Sequence, residues 1–444
     1  MQPRKLGYFD LTMIVVSLVI GMGIFRTPVN VAAGALTPTV FYAAWIIGGI
    51  IALCGALTFA EIGSRLPVSG GYYRIFSHCY HPSFAFMLNG TILVSNAASV
   101  AGVALIGAEY ICGVLFPPDY ANLGMAHQLI ALGEVLLFFG LNLLGLKTSA
   151  TTQNVLTVFK IVVIIVLCTA VFSSEKEYVF SFMDETKPHT WKDTLISLGV
   201  CLIPISFTFG GYQQTINFGS EVQNAPRIMP RSIITGIGIV LVLYMAINYV
   251  YMDVIGFSNL GKSTNIASIL ASKVFGVSGG KILTLMLFFS VLAYVNVGLM
   301  SNPRVILAMS EEKVLPSFFS RLSTRYGVPV VALTVFTAMC VAILFFAKAF
   351  DQLVNYVIFL DALGLIAAAS TIFILRIRNT GNELQPYKMK LFPIAPVIFM
   401  IAYAFVTFAI TYGKIDSVIY GLIVFASFFP IYLLLRYISK KNVG

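Results

Sequence analysis

Two glycine-interrupted segments hold the residues of this chain best suited to binding: Gly21-Met22-Gly23-Ile24-Phe25 and Phe207-Thr208-Phe209-Gly210-Gly211-Tyr212-Gln213. Each lies inside a long apolar stretch of helical character. A break there frees backbone N–H and C=O groups that hydrocarbon cannot solvate, so they must line a protein cavity or bind something polar. At the first break, the N–H groups of Met22, Gly23 and Ile24 open a half-helix whose positive dipole end attracts an anion, a carboxylate above all. Glycine at 21 and 23 lets a ligand approach the backbone closely. At the second break, carbonyls at the end of the first half-helix can accept from an ammonium. Together the two breaks suit a zwitterion. Phe207 and Tyr212 are large enough to cover its side chain, with Phe209, Gly210, Gly211 and Gln213 completing the segment. The competing reading of the first glycines is a small-residue packing face.

Charged residues inside apolar stretches form the second group. Lys160, in Asn154-Val155-Leu156-Thr157-Val158-Phe159-Lys160, sits well inside a span. An ammonium there costs about 2.5–3.5 kcal/mol, so it either faces a polar interior or snorkels to the interface. It either holds a fixed charge or titrates, and Ser290 is a possible partner. Arg26, one turn past the first break, either draws in an anion or pairs with an acidic residue. Glu109, Glu134 and Asp361 lie in or near spans, where a carboxyl moves protons, ends a helix or forms an ion pair. Asn96 and Ser99 face either the cavity or a neighbouring helix. The six cysteines have no metal-ligand spacing and read as small packing residues. The histidines form no metal motif, and there is no HExxH and no nucleophile elbow. No metal, no cofactor and no enzymatic chemistry are expected.

The elements that must position these residues are membrane helices. The chain has 444 residues, 58% hydrophobic and 10% charged, with a mean hydropathy of +0.91. A soluble domain carries about 25% charged residues, so this is an all-α integral membrane protein. The net charge of +10 fits basic loops on the cytoplasmic side and not nucleic acid. No cleavable signal peptide is expected. Twelve spans are predicted, roughly 9–34, 38–63, 84–116, 125–146, 151–173, 195–222, 232–255, 280–308, 328–348, 353–376, 391–412 and 415–437. An even count puts both termini on one side, and the distribution of Lys and Arg makes that side cytoplasmic. The outer loop 174–194 is polar and acidic, and 265–275 has the apolar spacing of a helix lying against the outer vestibule. Spans 1–5 and 6–10 each open with a broken helix. An odd number of spans per half gives the halves opposite orientation, the arithmetic of an inverted repeat. The stretch 376–390 then divides a transport core, 1–376, from two peripheral spans, 377–444.

Three stretches carry a family resemblance: G-M-G-I-F in span 1, A-E-I-G-S-R-L-P-V-S-G-G-Y-Y from Ala60 after span 2, and E-V-Q-N-A-P-R-I-M-P-R from Glu221 after span 6. With them the chain resembles the amino acid–polyamine–organocation superfamily of permeases. Within it, F-T-F-G-G-Y-Q-Q-T-I-N-F looks like the L-type amino acid transporters and their bacterial relatives. The resemblance implies a LeuT-like, five-plus-five inverted-repeat core with helices 1 and 6 unwound, plus two peripheral helices. It implies an amino acid whose carboxylate meets the Gly21–Ile24 amides, and Phe207 as the aromatic that closes over substrate from outside. It gives Lys160 the place of the sodium ion of more distant members, tying span 5 to the inner half of span 1 and to span 8, so that no sodium is needed.

The resulting expectation is a secondary transporter working by alternating access, with spans 1, 2, 6 and 7 rocking against spans 3, 4, 8 and 9. Neither break segment supplies a carboxylate for a cationic side chain, which favours neutral L-amino acids. Sodium-independent exchange is favoured, and proton-coupled uptake of an amino acid, organic cation or polyamine, through Glu109 or Glu134, stays open. A transporter-like sensor is the alternative of another class, against which the short tail from Arg436 to Gly444 counts. The loop Phe116 to Gly124 has no cysteine, so no disulfide-linked heavy subunit is expected. The implied setting is a bacterial inner membrane, with the lipid bilayer and a small-molecule substrate as the only partners.

Overall fold

The computed structural model describes residues 5–21, 23–115, 124–172, 190–263, 266–276, 279–345, 347–413 and 415–441. Met22, the loop 116–123, most of the 174–194 loop and the last three residues of the chain fall outside them. Among the described residues there is no strand, only two single-residue bridges, Leu6 with Val222 and Ser69 with Phe218.

In chain order the helices are α1 (Tyr8–Val19), α2 (Gly23–Gly34), α3 (Pro38–Arg65), α4 (Gly71–Cys79), α5 (Pro82–Leu115), α6 (Gly124–Leu143), α7 (Leu146–Cys168) and α8 (Trp191–Thr208). They continue with α9 (Ala225–Ile255), α10 (Phe257–Leu260), α11 (Ile266–Phe275), α12 (Gly279–Glu311), α13 (Val330–Phe345), α14 (Ala347–Ile377), α15 (Ile394–Gly413) and α16 (Ile415–Lys441). Local signals fix several starts. Thr37 caps α3, its side chain accepting from the Val40 N–H, with Pro38 in the first turn, where a missing N–H costs nothing. Thr190 and Asp193 form a reciprocal capping box on α8.

Among the described residues, ten helices are long and apolar enough to cross a membrane. α1 and α2, bent by 41° at the first break, make an eleventh candidate. The remaining expected span coincides with α13, which is apolar but has only 16 residues. At 1.5 Å per residue it covers about 24 Å, less than the about 30 Å of hydrocarbon. The segment 265–275 is helical as expected, as α11, and packs on α12 and α9. The stretch after span 2 differs from expectation: beyond a turn at Leu66–Gly70 the chain forms a further helix, α4, lying against α5. Its nine residues alternate buried Tyr72, Tyr73, Ile75 and Phe76 with polar positions. It is too short to have a hydropathy signature.

Helix contacts sort the bundle into two sets. α1, α2, α3, α8 and α9 pack on one another, and α5, α6, α12 and α13 do the same. α7 touches α1, α9 and α12 and so meets both sets, while α15 and α16 lie outside against α14. Polar side chains join the second set internally and to α7. Asn142 on α6 donates to Asn296 on α12 at 3.0 Å, and Asn296 donates to Gln153 on α7 at 2.8 Å. All three are buried, where each bond avoids leaving a polar group in an apolar interior.

At the end of the bundle where the chain begins, here called the N-terminal face, Glu61 is fully buried. It accepts from Arg65 at 2.9 Å, from Arg376 at 2.7 Å and from the Met389 N–H at 2.9 Å. This carboxylate ties the end of α3 to the end of α14 and to the segment that follows. Glu61→Ala would leave two guanidinium groups facing a void, and removing one partner of a buried ion pair costs about 3 kcal/mol or more. We expect a clear drop in the thermal unfolding midpoint in detergent, with Glu61→Gln falling between the two. An unchanged midpoint would mean that the cluster contributes nothing to stability.

Candidate functional site

Both breaks are real discontinuities, and they touch. α1 ends at Val19 and α2 begins at Gly23, so the first N–H groups of α2 have no partner within the helix. α8 ends at Thr208, and after Phe209–Gly211 the chain resumes as a 3-10 turn over Tyr212–Asn217. A Cβ on Gly23 would come within 3.1 Å of the Thr208 side chain. Gly211 has φ +105, and a Cβ there would lie 2.3 Å from the Leu18 carbonyl oxygen. Only glycine combines that backbone angle with that contact. Across the contact, the Thr27 and Thr208 hydroxyls are 2.6 Å apart.

The freed carbonyls have found protein donors. The Lys160 ammonium, itself buried, donates to Ile20 O at 2.5 Å. The Tyr244 hydroxyl on α9 lies 3.2 Å from both Val19 O and Thr208 O, so its one proton is shared between the two breaks. Tyr403 on α15 donates to Ser206 O at 3.2 Å, and Gly211 N–H donates to the Gln213 side chain at 2.9 Å. Each carbonyl keeps a second lone pair for a ligand. Sequence reading missed Tyr244 and Tyr403, because a lone tyrosine in an apolar helix has no local signature.

Between the two helix sets lies a cavity of about 650 Å³, within the range of small-molecule sites. Of the expected site residues, Gly21, Gly23, Phe207, Gly210, Gly211, Gln213 and Glu109 line it. Ile24, Phe209 and Tyr212 do not. Ile24 is buried in the core. Phe209 packs between Trp45 and Tyr244, at ring distances of 6.0 and 5.1 Å, and Tyr212 packs edge-on against Phe59. Met22 is outside the described residues. Lys160 stands behind the first break, and Ser290 is buried on α12, with no hydrogen bond between them among the described residues. Asn96, Ser99 and Arg26 also line the cavity, as do Tyr72, Tyr294, Asp361 and Tyr403 from helices that sequence reading had not connected with it. Arg26 and Glu109 are exposed, which marks the cavity mouth.

On the N-terminal side the cavity floor is sealed. The Gly70 N–H donates to Asn217 O at 3.0 Å, and Leu6 exchanges backbone bonds with Glu221 and Gln223 at 2.7 and 3.0 Å. The Asn217 side chain accepts from the Tyr72 N–H at 3.0 Å and donates to Ser301 at 3.1 Å. Arg304 pairs with Glu221 at 2.7 Å and lies over the Phe218 ring. Among the described residues no group of three or more His, Cys, Asp or Glu could hold a metal ion.

A pair of touching helix breaks, backed by an intramembrane lysine and opening on a polar cavity, offers backbone donors and acceptors to a small polar ligand within a membrane. Sequence comparison gives the family: the one described as amino acid permease matches residues 6–433. The chain belongs to the amino acid permease family. This permease is a multi-pass membrane protein, and its similar relatives are named as transporters and exchangers. It is 27% identical to the serine/threonine exchanger SteT of Bacillus subtilis, over 89% of the chain and 88% of that protein. It is 26% identical to the b(0,+)-type amino acid transporter 1 of Mus musculus, over 91% and 82%. It is also 24% identical to the large neutral amino acids transporter small subunit 2 of Homo sapiens, over 99% and 81%.

Proposed function

We propose that this permease exchanges neutral L-amino acids across a bacterial inner membrane by alternating access, without sodium. The observation that carries the reading is the pair of touching breaks, with α2 amides for the carboxylate and the remaining lone pairs of the break carbonyls for the ammonium. Lys160 bonded to Ile20 O supplies a fixed positive charge where a sodium ion would otherwise satisfy that carbonyl. In this reading the fold is a twelve-span inverted repeat with α13 as its ninth span, and the N-terminal face is cytoplasmic. The set α1, α2, α3, α8 and α9 rocks against α5, α6, α12 and α13. The sealed N-terminal floor and the mouth at Arg26 and Glu109 then describe an outward-facing state, and Phe207 covers the substrate from outside. The peripheral pair α15 and α16 follows the core. The protein works without a disulfide-linked subunit, since 116–124 has no cysteine.

The test uses purified protein in liposomes and a radiolabelled mixture of neutral amino acids. Uptake is expected only with amino acid inside, at equal rates with and without sodium and a proton gradient. Uptake into empty vesicles driven by a proton gradient would replace exchange with symport. One observation favours that second reading: Glu134 on α6 is buried, and neither of its carboxylate oxygens has a hydrogen-bond partner. It faces Gly107, where a Cβ would come within 2.8 Å of it. A buried carboxyl without a partner is stable only when protonated, and Glu134→Gln is the variant that would then abolish the gradient response.

A further inference from the structure

We propose that Asp361 gives this cavity a subsite for a positively charged side chain, so that the permease accepts amino acids ending in an ammonium or guanidinium alongside neutral ones. The inference rests on the amino acid reading above and extends it to a substrate class that the break segments alone argue against. Asp361 is on α14, far in sequence from both breaks, and it lines the cavity. Its carboxylate makes no hydrogen bond or ion pair among the described residues. It lies within electrostatic reach of the Tyr72, Tyr294 and Tyr403 hydroxyls. Tyr294 connects it to the zwitterion site: its ring carbon Cδ2 is 3.9 Å from where a Cβ on Gly21 would stand. Gly21, Tyr294 and Asp361 thus all line the cavity that a substrate held at the breaks would occupy.

Charge balance points the same way. The other two charges on the cavity wall, Arg26 and Glu109, both act on Tyr110 at the mouth. They are opposite in sign, so with Asp361 the cavity wall carries one net negative charge. Asp361 is partly exposed to the cavity and has no ion-pair partner among the described residues. A cationic side chain brings the missing charge, and the neighbouring tyrosine rings favour it further. A neutral substrate leaves the carboxylate facing the cavity, which keeps neutral amino acids acceptable.

The test compares labelled L-lysine and L-ornithine with labelled L-serine, in liposomes loaded with unlabelled L-serine, at fixed pH. Binding of L-lysine to the detergent-solubilised protein is measured in parallel by scintillation proximity. Wild-type protein is expected to bind and take up lysine in competition with serine. Asp361→Asn should lower lysine uptake and binding by about tenfold or more, the scale for removing one partner of a buried charge pair, with serine changed far less. Asp361→Glu should retain part of the lysine signal. Serine exchange with no lysine uptake or binding overturns the subsite and leaves the exchange reading standing. Lysine binding lost in Asp361→Asn, with no transport of any substrate, supports the subsite while the exchange reading fails. Equal loss of serine and lysine in the variant overturns the proposal, assigning Asp361 to the α-ammonium or to a proton common to all substrates.

Discussion

Lys160→Met is expected to cut amino acid uptake by about 100-fold or more while the protein still folds. The ammonium is buried and donates to the carbonyl of Ile20, the residue between α1 and the break. Methionine fills most of the volume but supplies no donor, so Ile20 O is left in an apolar surrounding without its charged partner. Losing a buried hydrogen-bonded charge costs about 2–5 kcal/mol, and each 1.36 kcal/mol is tenfold in rate. The loss falls on the position of the first break, so substrate binding weakens with it. The rest of α7 packs through side chains that the substitution leaves alone. Initial uptake rate in liposomes, with gel-filtration profile and unfolding midpoint as controls for folding, checks this. Uptake within about threefold of wild type would remove Lys160 from the mechanism and make the lysine a packing residue that happens to be charged.

Gly211→Ala is the second variant expected to be close to inactive, and Gly210→Ala is its internal control. At Gly211 a methyl would sit 2.3 Å from Leu18 O, a backbone atom that cannot rotate away, at a φ of +105 that side chains rarely adopt. Backbone strain of this kind costs about 1–3 kcal/mol before the clash is counted. Relief requires moving α1 away from α8, which separates the two breaks. At Gly210 the nearest atom is Phe207 O at 3.2 Å, and φ is not in the left-handed region, so only a small local adjustment is needed. Uptake should fall to near background in Gly211→Ala and only a few-fold in Gly210→Ala. Equal effects of the two would mean that the contact with Leu18 does not hold the breaks together.

These two variants also mark what the sequence could reveal. Gly21, Gly23, Gly210 and Gly211 stand out because glycine pairs inside apolar helices are costly without a reason. Lys160 stands out because a charge inside a span is costly without a partner. Each is a local anomaly, readable one segment at a time. Tyr244 and Tyr403 are ordinary in their own segments and matter only because folding brings them to the break carbonyls, while Asp361 stands out as a charge in a span but its place on the cavity wall does not show locally. Tyr212 and Phe209 show the converse. Their place beside the glycines suggested contact with substrate, yet helix geometry turns both rings into the packing of α3 and α9. The two breaks show only part of the wall in the same way, since α5 and α14 contribute Glu109 and Asp361 to it. The short helix α4 was missed because nine residues with alternating exposure resemble a capped turn.

In the alternating-access reading proposed above, the seal at the N-terminal face separates two properties of the transporter. It is built from backbone bonds of Leu6, Gly70 and Asn217 and from the Arg304–Glu221 pair, none of which lines the wall around the substrate's side chain. These bonds must break before the cavity empties on that side, whatever amino acid it holds. Good and poor substrates then share one slow step. They differ in the concentration needed for half-maximal rate, while their maximal turnover stays nearly the same. Substitutions in the cavity wall can therefore change the diet of the permease without changing its clock.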